Sequence, residues 1–325
     1  MKKSLILCCS IIAIIVALTT SCKNKSSKNN ADSKDSLSGT ISISGAFALY
    51  PLTVKWADEY MKLYPKVTID VSAGGAGKGM TDALSGMIDL GMFSKAVSNE
   101  EKQNGAWWIA VTKDAVLATI NTKNPEIESI KTNGLTMEKF YDIFITNKIK
   151  NWGTALNTKS KAKINVYTRS DACGAAEMWA KYLNGKKQED LQGIGVNGDP
   201  GVADAVKKDV NGIGFNNIAY VFDIKTRKKY EGMAVVPIDI NKNGKIEPEE
   251  NVYNSLDEIM AAIKDGRYPS PPARDLFFVC KGKPQKAVIT HFLNWVLTDG
   301  QKYVNEAGYV LLSEESIKTE LGKIK

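Results

Sequence analysis

Three turns rich in glycine and alanine constrain most strongly which fold this chain can adopt. Each lies between a predicted strand and a predicted helix. The first turn covers residues 44–48, the second residues 72–79 and the third residues 169–174. They follow the predicted strands Thr40–Ser44, Val67–Val71 and Ile164–Tyr167, respectively. Strands that alternate with amphipathic helices indicate α/β sheets with helices on their faces. The first turn of a helix carries unpaired backbone N–H groups and the positive end of the helix dipole, and small residues let a ligand approach them. The turns therefore predict an anion site, unless their glycines serve only the turns themselves.

Composition excludes several other classes of protein. The chain has 325 residues, of which 43% are hydrophobic and 24% are charged, and its formal net charge is +7. These values are typical of a globular protein and argue against disorder, collagen and a polytopic membrane protein. The basic residues are spread along the chain, so we predict no nucleic-acid partner. A single histidine, His291, argues against multi-histidine metal catalysis.

The amino terminus has the pattern of an export signal. Lys2 and Lys3 precede an apolar stretch, Leu5–Leu18, which small residues separate from Cys22. This order predicts a signal peptide over residues 1–21. The small residues before Cys22 resemble a bacterial lipobox, which implies lipidation of that cysteine; an uncleaved anchor and a plain secretory signal are the alternatives. Residues 22–38 are almost devoid of apolar side chains after the cysteine and predict a flexible tether.

Two cysteines remain beyond the tether. An oxidising compartment would permit a bridge between Cys173 and Cys280, although the apolar run LFFVC predicts a buried free thiol at Cys280. Cys173 opens a predicted helix, where a thiolate is stabilised, and His291 is the only histidine that could serve as its base. The pattern VITHFLNWVL turns His291 toward solvent with Asn294 and Thr298. We therefore predict that the chain is not an enzyme.

Four segments together resemble one family. They are GAFALYPLTVKWADEYMKLYP, GGAGKGM, IDLGMFS and YTRSDACGAA, and the resemblance covers most of residues 39–325. In order and spacing they resemble the PstS-type phosphate-binding proteins of ABC importers. The resemblance implies an α/β, two-domain periplasmic-binding-protein fold, type II-like, with a hinge between two α/β lobes. Residues 39–117 plus 275–325 would form lobe 1, and residues 118–274 would form lobe 2.

The resemblance also implies a set of ligand-binding positions. They come from the three turns and from the turn after the IDLG strand: Ala46, Phe47, Ala48, Gly75, Ala76, Gly77, Ser94, Arg169, Asp171, Cys173, Gly174 and Ala175. Where the family has hydroxyls, this chain has Phe47 and Ala48, Ala76, Cys173 and Ala175, and where the family often has an aspartate it has Ser94. The family's aspartate would accept the proton of monohydrogen phosphate. Because this chain has Ser94 instead, we predict weak discrimination against sulfate.

Two of these assignments have alternatives, and the role of Arg274, outside this set, is left open. Arg169 could be an ion-pair partner of Asp171, and Ser94 could be a helix cap. Arg274 lies where the chain would recross the hinge; it could face the ligand, although a structural pair with an aspartate is the favoured interpretation.

A second motif lies in the second half of the chain. The run DINKNGKIEPEE fits the twelve-residue EF-hand calcium loop, with glycine at position 6 and an apolar residue at position 8. The predicted calcium ligands are Asp239, Asn241, Asn243, Lys245, Glu247 and Glu250. Pro248 lies inside the loop and a strand-like VVPI precedes it, so we predict an isolated structural Ca²⁺ site; a polar Asn-Gly turn is the alternative.

Together these patterns predict a lipid-anchored receptor on the periplasmic side of the cell envelope. Exposure on the outer surface of the cell is the alternative location. It would capture phosphate or another small oxyanion by hinge closure, deliver it to an ABC permease in the inner membrane, and act as a monomer without a cofactor for chemistry. The alternative is a PstS-like sensor or adhesion module that no longer binds phosphate.

Overall fold

The computed structural model describes residues 37–325. The predicted signal peptide, Cys22 and most of the predicted tether lie outside the described residues. Within the described part, no helix is both long and apolar enough to cross a membrane.

The described chain alternates between strands and helices. The strands are β1 Gly39–Gly45, β2 Val67–Ala73, β3 Leu90–Phe93, β4 Ala106–Asn121, β5 Asn165–Arg169, β6 Ile194–Val196, β7 Gly212–Asn217, β8 Met233–Val235 and β9 Ala273–Lys281. The helices are α1 Tyr50–Leu63, α2 Ala76–Ser85, α3 Asn99–Gln103, α4 Ile127–Asn133, α5 Met137–Phe144, α6 Trp152–Leu156, α7 Gly174–Tyr182, α8 Gly198–Lys208, α9 Leu256–Asp265, α10 Ala287–Leu297, α11 Lys302–Glu306 and α12 Glu314–Ile324.

Local sequence explains where several helices begin and which face they bury. Helix α1 buries Leu52, Trp56 and Tyr60, which recur every four residues and so share one face. Helix α9 begins at Ser255, whose hydroxyl accepts the N–H of Glu258 and satisfies one free donor of the first turn. Such signals make these helices predictable without tertiary contacts.

The strands form one sheet in the order β2-β1-β3-β9-β4-β7-β5-β6, and β8 pairs with β4. The outer pairs β1–β2, β1–β3, β5–β6 and β5–β7 are parallel, whereas β9 and β4 in the middle are antiparallel to each other. Strand β4 pairs with β9 over Ala106–Ala115 and with β7 and β8 over Val116–Asn121. It therefore runs through both halves of the sheet.

Two separate hydrophobic cores make the predicted two-lobed α/β fold. The core of the first lobe surrounds Trp56, Phe278 and Phe292. The core of the second lobe surrounds Trp179 and Phe215. Strands β4 and β9 contribute to both cores and are the connection between the lobes. The residue boundaries given above for the two lobes stay a prediction.

Two strand predictions were wrong in extent. The sequence pattern predicts strands at residues 107–111 and 115–121, but both segments belong to one continuous strand, β4. Two of the three polar residues between them are buried with partners: Thr112 donates to the carbonyl of Val310 at 2.9 Å, and Asp114 pairs with Arg274. The apolar run at residues 233–238 predicts a strand of six residues, but the observed strand, β8, is shorter and ends at Val235.

Candidate anion-binding site

The second and third turns meet where the two lobes face each other. The N–H of Gly77, in the first turn of α2, donates to the carbonyl of Ala172 at 3.1 Å. Gly75 packs against Asp171: a Cβ on this glycine would lie 3.0 Å from Oδ2 of that carboxylate. The start of α2 and the start of α7 are thereby held side by side.

The first turn also reaches the second lobe, through Phe47. The Oη of Tyr220 donates to the carbonyl of Phe47 at 3.2 Å. The Phe47 ring lies 5.5 Å from the guanidinium carbon of Arg169 and packs against Gly198 at the start of α8. The ring thus occupies space between the lobes, at a position where the family resemblance implies a hydroxyl.

Ser94 lies directly against the start of α7. Its hydroxyl and carbonyl oxygens occupy the space that a Cβ on Gly174 would need, so only glycine fits at that position. The side chain is buried. The helix that follows, α3, is capped by Ser98, so Ser94 is not its cap.

Arg169 is buried and is held by two carboxylates. Its Nε and Nη2 donate to the two oxygens of Asp171 at 2.8 and 2.6 Å, and its Nη1 donates to Asp199 at 2.6 Å. The ion pair with Asp171 is thus present, and Asp199 is a partner that the sequence did not indicate. Burial acts to raise the pKa of Asp171, but the hydrogen bonds and charge of Arg169 hold it below its usual value. Arg169 therefore joins the third turn to the start of α8.

Cys173 is the N-cap residue of α7, as the sequence predicted. Its Sγ accepts the N–H of Ala176 at 3.3 Å, and its own N–H donates to Oε1 of Gln188 at 3.0 Å. The N–H groups of Gly174 and Ala175, the first two residues of the helix, have no intrahelical carbonyl within reach. Burial raises the pKa of the Cys173 thiol to about 12, so the thiolate expected at a helix start does not form at neutral pH.

Arg274 is the buried cation that the predicted site did not include. The side chain is 6% exposed, and its Nη2 contacts Oδ1 of Asn217 and Oδ2 of Asp114, the latter at 3.5 Å. Its Nε and Nη1 have no hydrogen-bond partner among the described residues. Burial is the largest influence on the pKa of Arg274 and lowers it. The charges of Asp114 and Asp199 oppose this shift, as does Cys173, whereas the charge of Arg169 lowers the pKa further. Asn217, which Arg274 contacts, donates its N–H to Oδ1 of Asp199 at 3.0 Å, so the guanidinium is connected to the carboxylate that holds Arg169 and keeps Nε and Nη1 unpaired within residues 37–325.

Two buried hydroxyls lie one step before the turns. Ser44 is the penultimate residue of β1 and Thr168 the penultimate residue of β5. Neither hydroxyl has a hydrogen-bond partner within residues 37–325. The sequence carries no signal for them, because serine and threonine are ordinary residues in strands.

Other predictions concern the two cysteines, His291 and the calcium loop. Cys173 and Cys280 are both free and buried. His291 does not point away into solvent as expected, since it is half-buried with Nδ1 2.7 Å from the Oη of Tyr60. The proposed calcium ligands lie in a loop of the second lobe after β8. Among residues 37–325 no group of three or more histidine, cysteine, aspartate or glutamate side chains could hold a metal ion.

Comparisons with known proteins agree with this architecture. The family described as the PBP superfamily domain matches residues 30–300. The phosphate-binding protein PstS of Methanocaldococcus jannaschii is 28% identical, over 91% of this chain and 89% of the relative, and PstS of Pseudomonas aeruginosa PAO1 is 29% identical, over 88% of each.

Solved structures show the same fold. A candidate phosphate ABC transporter substrate-binding protein from Clostridium perfringens, with bound phosphate, superposes with a TM-score of 0.68 at 22% identity, over 85% of this chain and 100% of that one. An ABC-type phosphate transport receptor from Vibrio cholerae gives a TM-score of 0.61 at 19% identity, over 84% of this chain and 100% of that one. The chain therefore belongs to the PBP superfamily, and its resemblance to the PstS type, whose members are binding proteins and not enzymes, is confirmed.

Proposed function

We propose that this protein captures phosphate or a related small oxyanion between its two lobes and delivers it to an ABC permease. The observation that carries the proposal is Arg274, a buried guanidinium with two unpaired N–H donors beside the converging turns. The proposal is supported by the PstS relatives, which are phosphate-binding proteins by name. Capture would proceed by closure of the lobes over the anion, without chemistry.

Hydrogen bonds, rather than net charge, would hold the anion. Two guanidinium groups, Arg169 and Arg274, face three carboxylates, Asp114, Asp171 and Asp199, so the site has no excess of positive charge. The donors in this scheme are Nε and Nη1 of Arg274, the first N–H groups of α7 and the Ser94 hydroxyl. Arg169 would act through its carboxylate partners by fixing the third turn. Because buried donors are little screened by salt, the affinity should change little with ionic strength.

Calorimetric titration with phosphate and with sulfate tests this function. The wild type should bind phosphate, and it should bind sulfate with comparable affinity because the carboxylate that would accept a phosphate proton is replaced by Ser94. The absence of any phosphate binding would overturn the proposal, and a strong preference for phosphate over sulfate would overturn the role of Ser94.

The variant Arg274→Lys tests the assigned donors. It keeps the positive charge beside Asp114 but loses the planar donors, and a hydrogen bond to a charged group contributes about 1.5–3 kcal/mol, or roughly a 10- to 150-fold change in Kd. Arg267→Lys is the matched control, because Arg267 is exposed and pairs only locally with Asp265. Equal affinities for the two variants would remove Arg274 from the site.

The PstS relatives do not favour the alternative, a sensor or adhesion module without phosphate binding, but one structural feature allows it to be tested. The Phe47 ring and the Gly77–Ala172 hydrogen bond fill part of the space between the lobes with protein atoms. Phe47→Thr separates the two functions. If the Phe47 ring blocks the site, its removal should create phosphate binding or strengthen it at least tenfold. If the ring lines a working site, its removal should weaken phosphate binding.

The same proposal includes a lipid anchor at Cys22 and a place on the periplasmic side of the cell envelope. It is supported by the lipobox-like residues before Cys22. Cys22→Ser should move the protein from the membrane fraction to the soluble periplasmic fraction, with the same phosphate affinity. An unchanged membrane fraction would exclude this anchor.

The proposal also includes a monomeric protein, so light scattering of the purified protein should give the mass of a monomer.

A further inference from the structure

We propose that residues 239–250 form a calcium site on the second lobe, distinct from the anion site and independent of it. This calcium loop follows β8 and ends at Glu250. The twelve-residue spacing is the sequence observation, and the positions of its two end carboxylates are the structural one.

The loop is folded around its first residue. Gly244 has φ +82°, the left-handed conformation that glycine adopts without strain and that a sharp turn at position 6 requires. Its N–H donates to Oδ2 of Asp239 at 2.9 Å. The carboxylate of Asp239 therefore faces the interior of the loop.

The other oxygen of Asp239 is the observation that points to a cation. Asp239 is 2% exposed, and its Oδ1 has no hydrogen-bond partner among residues 37–325. A buried carboxylate oxygen without a partner is costly, and such groups are paired or coordinate a metal. None of the ion pairs formed by the described residues includes Asp239, so a bound cation would satisfy this oxygen.

Glu250 provides the second carboxylate from the far end of the loop. It is buried, and its Oε1 accepts the N–H groups of Ile240 at 2.8 Å and Asn241 at 3.0 Å. Its Oε2 accepts the N–H of Glu247 at 3.1 Å. These bonds bring Glu250 back to the residues that follow Asp239, so the two carboxylates close the loop.

The remaining donors select calcium. Asn241 and Asn243 offer amide oxygens, Lys245 offers a backbone carbonyl, and Glu247 stands at the position that often binds through water. The loop has neither thiol nor imidazole, so it does not suit zinc, and calcium takes six to eight oxygens with more geometric tolerance than magnesium. Amide, main-chain and water-bridged oxygens supply four of the six positions, so only the carboxylates of Asp239 and Glu250 would bind the ion directly.

The loop is tied to the second lobe at position 8. The N–H of Ile246 donates to the carbonyl of Thr132 at 2.8 Å, and the Ile246 side chain packs against Gly134. Asp239 donates its own N–H to the carbonyl of Leu135 at 3.1 Å. Calcium would thus fix the segment after β8 against α4 and the start of α5, which is a structural role.

The test uses the purified protein after treatment with EDTA, in buffer without phosphate. Calorimetry with CaCl₂ should give one site with Kd between about 10⁻⁷ and 10⁻³ M, the range of such loops. Saturating calcium should raise the Tm by several degrees, and MgCl₂ at the same concentration should do much less. No phosphate or sulfate is added, so failure here would leave the proposed function untouched.

Two variants and a control locate the site. Asp239→Asn and Glu250→Gln should each weaken calcium binding at least tenfold, whereas Glu249→Gln, an exposed neighbour with the same change of charge, should stay within about twofold of the wild type. The proposal is overturned if calcium neither binds nor raises the Tm of the wild type, if magnesium acts equally, or if Glu249→Gln loses as much as Glu250→Gln. The wild-type measurements decide the matter even if a variant fails to fold.

Discussion

Asp114 and Arg274 lie directly opposite each other in the antiparallel pairing of β4 and β9, where both strands pass from one lobe to the other. Residues opposite each other in a sheet project from the same face, so the two charges meet in the buried middle of the molecule. Arg274 also contacts Asn217 at the end of β7. The strands that connect the lobes therefore carry a pair of buried, oppositely charged residues.

The Asp114–Arg274 pair should make stability depend on pH. Burial raises the pKa of Asp114 to about 7, although the charge of Arg274 opposes this. Because the folded-state pKa is above the unfolded value of about 3.9, the folded protein binds more protons, and stability falls as pH rises between those values by up to about 1.4 kcal/mol per pH unit.

Urea denaturation of the wild type and Asp114→Asn at pH 5 and pH 8 measures this contribution. The variant loses the titrating group, so its stability relative to the wild type should be higher at pH 8 than at pH 5, whatever its absolute value. Parallel pH profiles would show that Asp114 keeps an ordinary pKa.

Arg169 should be essential for folding stability. Arg169→Met leaves Asp171 and Asp199 without their cation in a buried site, and the removal of one partner of a buried ion pair costs about 3–5 kcal/mol. Chemical denaturation gives the difference in free energy of unfolding. Arg267→Met removes an exposed ion pair with Asp265 and should change stability little. A small effect at both arginines would mean that water replaces the lost partner at Arg169.

The Cys173 thiol should resist alkylation in the folded protein. With a pKa of about 12, only about one molecule in 10,000 carries a thiolate at pH 8, and the thiolate is the nucleophile. Mass spectrometry of the peptide that contains Cys173, after iodoacetamide treatment, should find it unlabelled in native protein and labelled in guanidinium chloride. Rapid labelling of native protein would place this cysteine at an open, electropositive surface.

Gly174→Ala should disturb the contact between the lobes. The added Cβ would collide with both oxygens of Ser94, and such overpacking costs about 1–3 kcal/mol. Both the Tm and the phosphate affinity should fall. Gly322→Ala is the control, because Gly322 is a helical glycine with no atom near its Cβ position, and alanine favours a helix. If Gly174→Ala behaves like Gly322→Ala, the close approach of Ser94 to α7 is not maintained in solution.

The long helices and the three turns could be predicted from sequence because their signals are local. Leu52, Trp56 and Tyr60 recur at helical spacing, and the glycines stand between strand and helix patterns. Helices α4, α5 and α6 were not predicted. They have five to eight residues, which is too short for a helical period to stand out, and they depend on packing against the second core.

What the sequence by itself determined is the α/β fold class, the PstS-like order of the turns and the spacing of the calcium loop, because each of these depends on residues close together in the chain. Only the tertiary structure decided the partners of the buried charges. Arg274 meets Asp114 from 160 positions away, Asn217 from 57, and Arg169 meets Asp199 from 30. A charge can be read from the sequence, but whether it is buried, paired or left with free donors depends on which distant strands and helix starts the fold brings beside it.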